Sequence, residues 1–320
     1  FEPYNEKEPW VAYRQFCESF LSPLLLMHYS KMHLPQLQLA WPRGIPLQVT
    51  SSLLPRKSRF SLHTYLHIHL HAKVAAKKGT SSRPVNFSKQ KLLNLVSSLE
   101  TLIKKLKPPV KATTWSAYYE EAAQRDDYLI QKKELIRQWG QKLVNVEHAV
   151  DLGANDGEVS RLLSIQNINV LATDADPLCI DNLYNYIRKN REQNLQPLIL
   201  DVSNPSPAMG VNNEEHASFL SRTNTDLVMA LALIHHLVIG QHMSFDQVAT
   251  MLSKTGQWLI IEFVPKEDPK VQEMLAGRKD VFIQYTKANF EATFGRYFSV
   301  IEKKTVGSSG RVLYLMSKND

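Results

Sequence analysis

The chain has 320 residues, 43% of them hydrophobic, so it is long enough for a sizeable core and for more than one domain. Its two cysteines, Cys17 and Cys179, lie far apart and do not suggest a disulfide framework, which favours a reducing cytoplasm. The most apolar N-terminal run, FLSPLLLM, has eight residues, far fewer than the ~20 that cross a bilayer, so we predict neither a signal peptide nor a membrane partner.

The first part of the chain predicts helices joined by loops. Apolar residues recur at helical spacing from Trp10 to Leu24, which predicts a buried amphipathic helix that breaks or bends near Pro23. The polar, basic stretch KKGTSSRPVNFSKQ is the best candidate for a linker. Two further helices are predicted by KLLNLVSSLETLIKKL and YLIQKKELIRQWGQKLV. We assign residues 1–112 to a mainly helical, basic accessory domain.

From residue 146 onward, short apolar runs alternate with helical ones. The predicted strands are HAVDLG, INVLATD, LQPLILD, TDLVMALAL and QWLIIEFV. This alternation predicts a parallel sheet with helices on both faces. The closing stretch, FSVIEKKTVGSSGRVLYLMSK, predicts a hairpin at the end of the sheet. We assign residues 113–320 to one α/β domain.

The stretch VDLGANDG joins the first predicted strand to a helix. Gly153 permits a tight turn that brings backbone N–H groups close to a ligand, and Gly157 lets the helix start against the ligand or the strand. Asn155 stands where a dinucleotide fold prefers glycine, and asparagine tolerates positive φ. No Lys-Ser/Thr pair follows, which excludes a P-loop. Asp151 disfavours pyrophosphate and favours an ammonium group. A turn without a ligand, or one that holds a nicotinamide cofactor, is the alternative.

Three aspartates end three successive strands. Asp174 lies about 20 residues beyond the turn, the spacing at which an acid accepts hydrogen bonds from ribose hydroxyls, and Asp201 ends the third strand. With Asp151, both belong to the carboxyl edge of the sheet, where open α/β sheets bind ligands.

This arrangement resembles the class I S-adenosylmethionine-dependent methyltransferases over roughly residues 146–320. The resemblance is carried by DLGANDG, TDAD, LILD, the strand that runs into IHHL, and the terminal hairpin. It implies a Rossmann-like seven-stranded sheet flanked by helices, with its last strand inserted antiparallel, and S-adenosylmethionine as the cofactor. It also implies site roles: Asp151, Gly153 and Gly157 beside the methionine and ribose, Asp174 on the ribose hydroxyls, and Asp201 on the adenine amino group. Asn155 departs from the family pattern and leaves the detail of the turn open.

More narrowly, the strings PWVAYRQFCESFLSPLLLM, NPSPA, LALIHHL, LIIEFVPK and VLYLM are similar to a group of bacterial nodulation-related methyltransferases. Members of that group extend further upstream, and this chain opens on Phe1 rather than Met, so we expect a piece of a longer protein. The resemblance does not identify the methyl acceptor, and a small molecule, a protein and RNA all stay open.

Candidates for the acceptor side lie near the predicted strand ends. His235 and His236 follow the fourth strand, where one of them is a candidate general base or simply packs the next helix. Glu262 ends the fifth strand. Tyr119, in TTWSAYYEEAAQRDDY, is a candidate for stacking on the cofactor or substrate, as are Trp115 and Tyr118, with core packing as the alternative.

Asn204 opens the stretch NPSP, which is similar to the N/D-P-P-Y motif of amine-methylating enzymes. That motif follows the fourth strand, whereas Asn204 follows the third, so amine methylation is not inferred. A proline-stiffened loop at the rim of the crevice is the main interpretation of this stretch, and Asn204 stays a candidate on the substrate side.

Charge is unevenly distributed. Residues 1–140 carry 21 Lys and Arg against 10 Asp and Glu, whereas residues 141–320 carry 17 against 21. Within residues 51–112 there are 13 basic residues and one acid, Glu100. This asymmetry indicates an anionic partner for the N-terminal region, or else a solvated surface or basic linker.

The run HTYLHIHLH contains alternating histidines. On a strand, His67, His69 and His71 would share one face and could bind a metal, whereas on a helix they would scatter. No Cys or acid lies nearby in the sequence, so we favour a polar face of a strand or helix and predict no metal site. A non-catalytic protein that keeps the methyltransferase fold and binds the donor is the alternative to an enzyme.

Overall fold

The computed structural model describes residues 8–34, 36–76, 87–107, 127–277, 279–308 and 310–319. The chain forms two compact units, residues 1–111 and 112–320. The predicted domain boundary at residue 112 lies outside the described residues, as do Trp115, Tyr118 and Tyr119.

The N-terminal unit is built from short helical segments around one apolar core. Their bounds are Tyr13–Phe16, Cys17–Leu21, Ser22–Ser30, Gln36–Ala40, Leu47–Leu53, Arg56–Phe60, Leu62–Thr64, Tyr65–Leu70, His71–Ala76 and Lys89–Lys105. The predicted first helix is present, and its Cys17–Leu21 turn is π-helical. Because Pro23 follows that turn and lacks an N–H, the widened turn sits where an α-helical hydrogen bond is lost. Cys17, Leu21 and Leu25 are fully buried against the other segments.

The histidine run is helical rather than extended, with a π-helical part over Tyr65–Leu70. His67 and His69 point into the unit and are 2% exposed. The His67 ring shares hydrogen bonds with the Tyr13 hydroxyl at 2.7 Å and the Ser98 hydroxyl at 2.8 Å. His69 lies between the hydroxyls of Ser51 and Ser58, at 2.8 Å from each. These histidines therefore serve as buried hydrogen-bonding groups, and no cluster of metal ligands occurs in the described part of the chain.

The C-terminal unit contains a seven-stranded sheet in the order β3-β2-β1-β4-β5-β7-β6. The strands are β1 His148–Leu152, β2 Asn169–Asp174, β3 Leu195–Ile199, β4 Thr225–Ala230, β5 Gly256–Phe263, β6 Phe298–Val306 and β7 Arg311–Lys318. The first five are parallel, and β7 runs antiparallel between β5 and β6. This is the sheet that the resemblance to class I methyltransferases implies, and the predicted terminal hairpin is confirmed as β6–β7.

Helices cover both faces of this sheet. Their bounds are Tyr128–Lys142, Ser160–Ser164, Pro177–Asn190, Val211–Asn213, Phe219–Arg222, His236–Gly240, Phe245–Ser253, Pro269–Leu275 and Lys287–Phe294. Alternate residues of the central strand β4 enter two separate apolar clusters: Val228 packs on one side, and Leu227 and Met229 on the other. All three are fully buried. A strand that is covered on both faces has apolar residues at successive positions, which explains the continuous apolar runs of the central strands in the sequence.

The helices of the described residues are all too short or too polar to cross a membrane.

Candidate cofactor-binding site

A cavity of about 270 Å³ opens among the loops that follow the parallel strands. Its walls come from the carboxyl ends of β1 to β4 and from two neighbouring helices. The lining residues are Lys132, Asp151, Gly153, Ala154, Asn155, Val159, Asp174, Ala175, Leu200, Asp201, Val202, Ser203, Leu231, Ala232, Leu233, His236, Leu237, Gly240 and Gln241. The three aspartates that the sequence placed at successive strand ends thus line a single cavity.

The turn after β1 adopts the backbone that its residue types suggest. Gly153, Asn155 and Gly157 have φ values of 76°, 53° and 76°, a region that glycine and asparagine occupy at little cost. The N–H groups of Gly153 and Ala154 both donate to the carbonyl of Thr173 at 2.8 Å. This pairing fixes the turn after β1 against the end of the neighbouring strand β2.

The two glycines of the turn have different surroundings. A Cβ at Gly153 would lie 3.3 Å from a methyl carbon of Leu233, across the cavity wall. A Cβ at Gly157 would lie 2.7 Å from a methyl carbon of Leu183, in the helix Pro177–Asn190. Gly157 is absent from the described cavity lining, so its contacts here are with the packing behind the turn.

Asp174 is held rigidly at the end of β2. One carboxylate oxygen accepts the N–H of Asn155 and the other accepts the N–H of Asp176, each at 2.8 Å. Burial raises the pKa of Asp174, and these backbone donors act in the opposite direction. A carboxylate has about four lone-pair sites, so the backbone donors leave part of that capacity for hydrogen bonds from a ligand.

Asp151 is the most buried of the three aspartates, at 1% exposed. The Ser160 hydroxyl donates to it at 2.6 Å. Burial raises the pKa of Asp151 to about 6, with Ser160 and the charge of Lys132 opposing that rise. A carboxylate that is costly to ionise in isolation gains most from a cationic ligand, because the cation stabilises its charged form.

Asp201 lies two residues beyond the end of β3 and is exposed. It accepts hydrogen bonds from the Ser203 backbone N–H at 2.9 Å and the Ser203 hydroxyl at 2.6 Å. Ser203 also lines the cavity, whereas Asn204, the next residue, lies outside the described lining. The side chains of Asp201 and Ser203 therefore form one polar corner of the cavity.

The two histidines after β4 differ in their position relative to the cavity. His236 lines the cavity, and His235 is buried beside it, with the ring centroids 4.0 Å apart. Burial lowers the pKa of His236 to about 4, and the positive charges of Arg311 and Lys270 lower it further. His236 is therefore neutral at physiological pH.

Glu262 lies away from the described cavity lining, in a buried network of charges. It accepts from the Tyr128 hydroxyl and from Lys132 Nζ, both at 2.6 Å. Arg311 donates to Tyr128 at 2.9 Å and makes a paired contact with Asp268. Burial alone would raise the pKa of Glu262, but Lys132 and Arg311 outweigh it and hold that pKa below its usual value.

Sequence reasoning missed Lys132, Ser160 and Gln241. Lys132 is 3% exposed and connects the charge network to the cavity wall. Its sequence context, an amphipathic helix with KK in its first half, is typical of a solvated surface. Ser160 lies nine residues after Asp151, and only a tight turn such as the one centred on Asn155 brings the two together.

No family model matches the chain. It is 31% identical to the nodulation protein NoeA of Rhizobium meliloti (strain 1021) over a 343-residue alignment that covers all of this chain and 68% of the relative.

Among solved structures, it is similar to the N-methyltransferase NodS of Bradyrhizobium japonicum WM9, with 11% identity and a TM-score of 0.45 over 61% of this chain and 98% of NodS. It is also similar to WbdD, with 18% identity and a TM-score of 0.45 over 68% of this chain, but it spans less than half of that protein, 46%. The alignment with NoeA, which spans the whole of this chain, decides the family. The chain belongs to the family of the nodulation protein NoeA.

Proposed function

We propose that the chain is an S-adenosylmethionine-dependent methyltransferase, with the cofactor bound in the cavity at the carboxyl edge of the sheet. The observation that carries the proposal is the convergence of Asp151, Asp174 and Asp201 on one cavity. These residues come from three neighbouring strands of a seven-stranded sheet with an antiparallel seventh strand.

The residues present fit the cofactor. S-adenosylmethionine carries a sulfonium and an ammonium group, and three carboxylates in one cavity complement that positive charge. Gly153 leaves open the space that a side chain would fill against Leu233. Apolar groups, including Leu200 and Leu231, supply the remaining wall that a purine and a thioether chain require.

Each aspartate has a distinct proposed role. Asp174, held by two backbone N–H groups, would accept the ribose hydroxyls. Asp201, on the exposed side beside Ser203, would accept the adenine amino group. Asp151, the deepest, would face the positive charge of the methionine part, with the turn at Gly153 and Asn155 beside it. Gly157 would support this turn through its packing.

When bound, the cofactor supplies an activated methyl carbon on a sulfonium. What remains for the protein is to align the acceptor with that carbon and to exclude water. Among the described cavity-lining residues, His236 is the histidine, and its low pKa keeps the ring neutral. The neutral ring can accept a hydrogen bond from the acceptor and orient it, whereas the same low pKa makes it a weak general base. His235, packed behind it, would hold its ring in place. Asn204 and Tyr119 remain candidates for the substrate side.

Glu262 has a different proposed role from the one expected of it at the end of β5. With Lys132 and Arg311 bound to it in the interior, it would fix the helix Tyr128–Lys142 and thereby one wall of the cavity.

Transfer of tritium from methyl-labelled S-adenosylmethionine tests the proposal. The purified chain is incubated with fractionated lysate, RNA and a panel of small metabolites. We expect label to enter one class of acceptor, and Asp174→Ala to reduce the transfer at least tenfold when the donor is subsaturating. Asp181→Ala is the matched control, because Asp181 lies outside the described cavity lining on the helix Pro177–Asn190.

Two results would contradict the proposal. No transfer together with tight donor binding would favour a non-catalytic donor-binding protein. No transfer and no donor binding would overturn the cofactor assignment as well.

A further inference from the structure

The helical run from Leu62 to Ala76 in the N-terminal unit carries apolar side chains on both its inward and its outward side. Ile68 and Ala72 face the core at 0% and 5% exposed, and His67 and His69, each 2% exposed, flank Ile68. The outward side of the run carries Leu62, Leu66, Leu70 and Val74, which are 65%, 41%, 36% and 62% exposed. A surface helix normally turns its leucines inward and its polar residues to water.

The backbone keeps these apolar residues in one row. They recur every four residues, and in an α-helix of 3.6 residues per turn such a repeat drifts around the axis. The π-helical turn over Tyr65–Leu70 is wider than an α turn and offsets that drift. The row therefore forms a continuous stripe along one side of the helix.

Two further apolar residues of the same unit are exposed on the preceding segments. Leu53 ends the helix Leu47–Leu53 and is 54% exposed, and Phe60 ends the segment Arg56–Phe60 and is 92% exposed. We define the leucine face as Leu53, Phe60, Leu62, Leu66, Leu70 and Val74. An exposed apolar set of this size on neighbouring elements indicates an interaction surface.

Exposed basic residues accompany the leucine face. Arg56, Lys57 and Arg59 directly precede Phe60, and Lys73 precedes Val74. Glu100 is the one acid among residues 51–112 of the sequence, and it pairs with Lys104. A surface that combines leucine and phenylalanine with lysine and arginine has the composition of helices that lie in the headgroup region of a membrane.

We propose that the leucine face docks the protein on the surface of an anionic lipid bilayer. The apolar side chains enter the boundary between headgroups and acyl chains, and the basic residues contact the lipid phosphates. A second copy of the chain is a poorer occupant, because two such basic faces repel each other. The prediction of no membrane partner rests on the length needed to span a bilayer, whereas a surface helix needs only one apolar side.

Vesicle flotation tests the proposal with the whole chain. The probes are vesicles of phosphatidylcholine alone and of phosphatidylcholine with phosphatidylglycerol. At 0.1 M NaCl we expect the chain to float with the anionic vesicles and to remain unbound with the neutral ones. Binding should fall as NaCl rises to 1 M, because the Debye length shrinks from about 10 Å to about 3 Å.

Two variants separate the contributions of apolar and basic groups. Leu66→Ser with Leu70→Ser should lower the partition coefficient at least tenfold, because two apolar side chains no longer enter the acyl boundary. Arg56→Gln with Arg59→Gln should lower it and flatten its salt dependence. The matched control is Val281→Ser with Ile283→Ser, since these residues are 60% and 78% exposed in the other unit. Its partition should be unchanged.

Several results would overturn the proposal. The first is failure of the chain to float with anionic vesicles. The second is binding of the Leu66→Ser, Leu70→Ser variant that equals that of the original chain. The third is binding of the original chain to neutral vesicles that equals its binding to anionic ones. If the chain ignores vesicles but forms a dimer that the same variant disrupts in light scattering, a second copy covers the face. Unchanged melting temperature and donor affinity of each variant would show that it remains folded.

Discussion

Donor affinity should depend on pH through Asp151. Burial raises the pKa of this carboxyl to about 6, and a cationic donor binds the ionised form. With that pKa, about nine tenths of Asp151 is ionised at pH 7 and about one tenth at pH 5. The dissociation constant of S-adenosylmethionine should therefore rise about tenfold between pH 7 and pH 5, as measured by isothermal titration calorimetry.

The variant Asp151→Asn isolates this effect from the other titratable groups in the cavity. It should bind the donor more weakly at pH 7 and should show little change between pH 7 and pH 5. The stability of this variant provides a control, because ionisation of Asp151 should favour donor binding but lower the stability of the fold. The pKa of Asp151 in the folded chain lies above the unfolded value of about 3.9, so the ionised group costs stability above pH 6, and the cost fades as the pH falls through 6.

Asp151→Asn should therefore have the same melting temperature as the original chain at pH 7.5, or a higher one. The free energy of unfolding should rise by at most about 3 kcal/mol. A donor affinity that does not change from pH 7 to pH 5 in the original chain would show that Asp151 does not face the cationic part of the donor. An equally steep pH dependence in Asp151→Asn would contradict that role of Asp151 too.

Three further predictions concern packing and buried charge. Gly153→Ala should cost about 1–2 kcal/mol of stability, because φ at this position is 76°; an unchanged urea midpoint would contradict it. Lys132→Met should lower the free energy of unfolding by about 3 kcal/mol, because it removes a cation from the buried Glu262. The control Lys133→Met breaks a partly exposed ion pair with Glu158 and should lower it by less than about 1 kcal/mol. Equal melting temperatures for the two variants would argue against the buried network. In the N-terminal unit, burial lowers the pKa of His67 to about 4, so its contribution to stability is present above pH 6.5 and is lost as the pH falls toward 4. A His67→Gln variant should be less sensitive to acid than the original chain in thermal melts at pH 7 and pH 5, and equal sensitivity would refute this role.

The sequence predicted the sheet and the placement of its acids because both depend on local rules. Alternating strand and helix patterns identify parallel strands, and the carboxyl ends of parallel strands meet at one edge. Asp151, Asp174 and Asp201 each lie close to such an end, so their convergence on one cavity follows from the topology. The positive φ of Asn155 likewise follows from its residue type.

The buried charge network could not be predicted in the same way. Lys132 and Glu262 are 130 residues apart in the chain and meet only because the helix Tyr128–Lys142 packs beside β5 and β7. From the sequence, Glu262 looks like a strand-end acid that faces the crevice. Glu262 instead lies in the interior, where Lys132 and Arg311 stabilise its negative charge. A buried carboxylate without such partners would be unstable.

The inward histidines of the N-terminal unit show a second limit of sequence reasoning. Period-two and helical patterns both assume that polar residues face water. His67 is buried because Tyr13 and Ser98 satisfy its ring nitrogens, and both partners come from other helices. Leu66 and Leu70 of the same run are 41% and 36% exposed, which no rule of hydrophobic periodicity anticipates.

Calorimetric titration of the purified chain with S-adenosylmethionine tests the central claim most directly, when Asp174→Ala and Asp181→Ala are titrated beside it. We expect saturable binding to one site and at least a tenfold loss of affinity for Asp174→Ala, since charge-assisted hydrogen bonds worth about 1.5–3 kcal/mol are removed. Asp181→Ala should bind like the original chain. No heat of binding for the original chain, or equal affinity for Asp174→Ala, would contradict the assignment of the cavity to this cofactor.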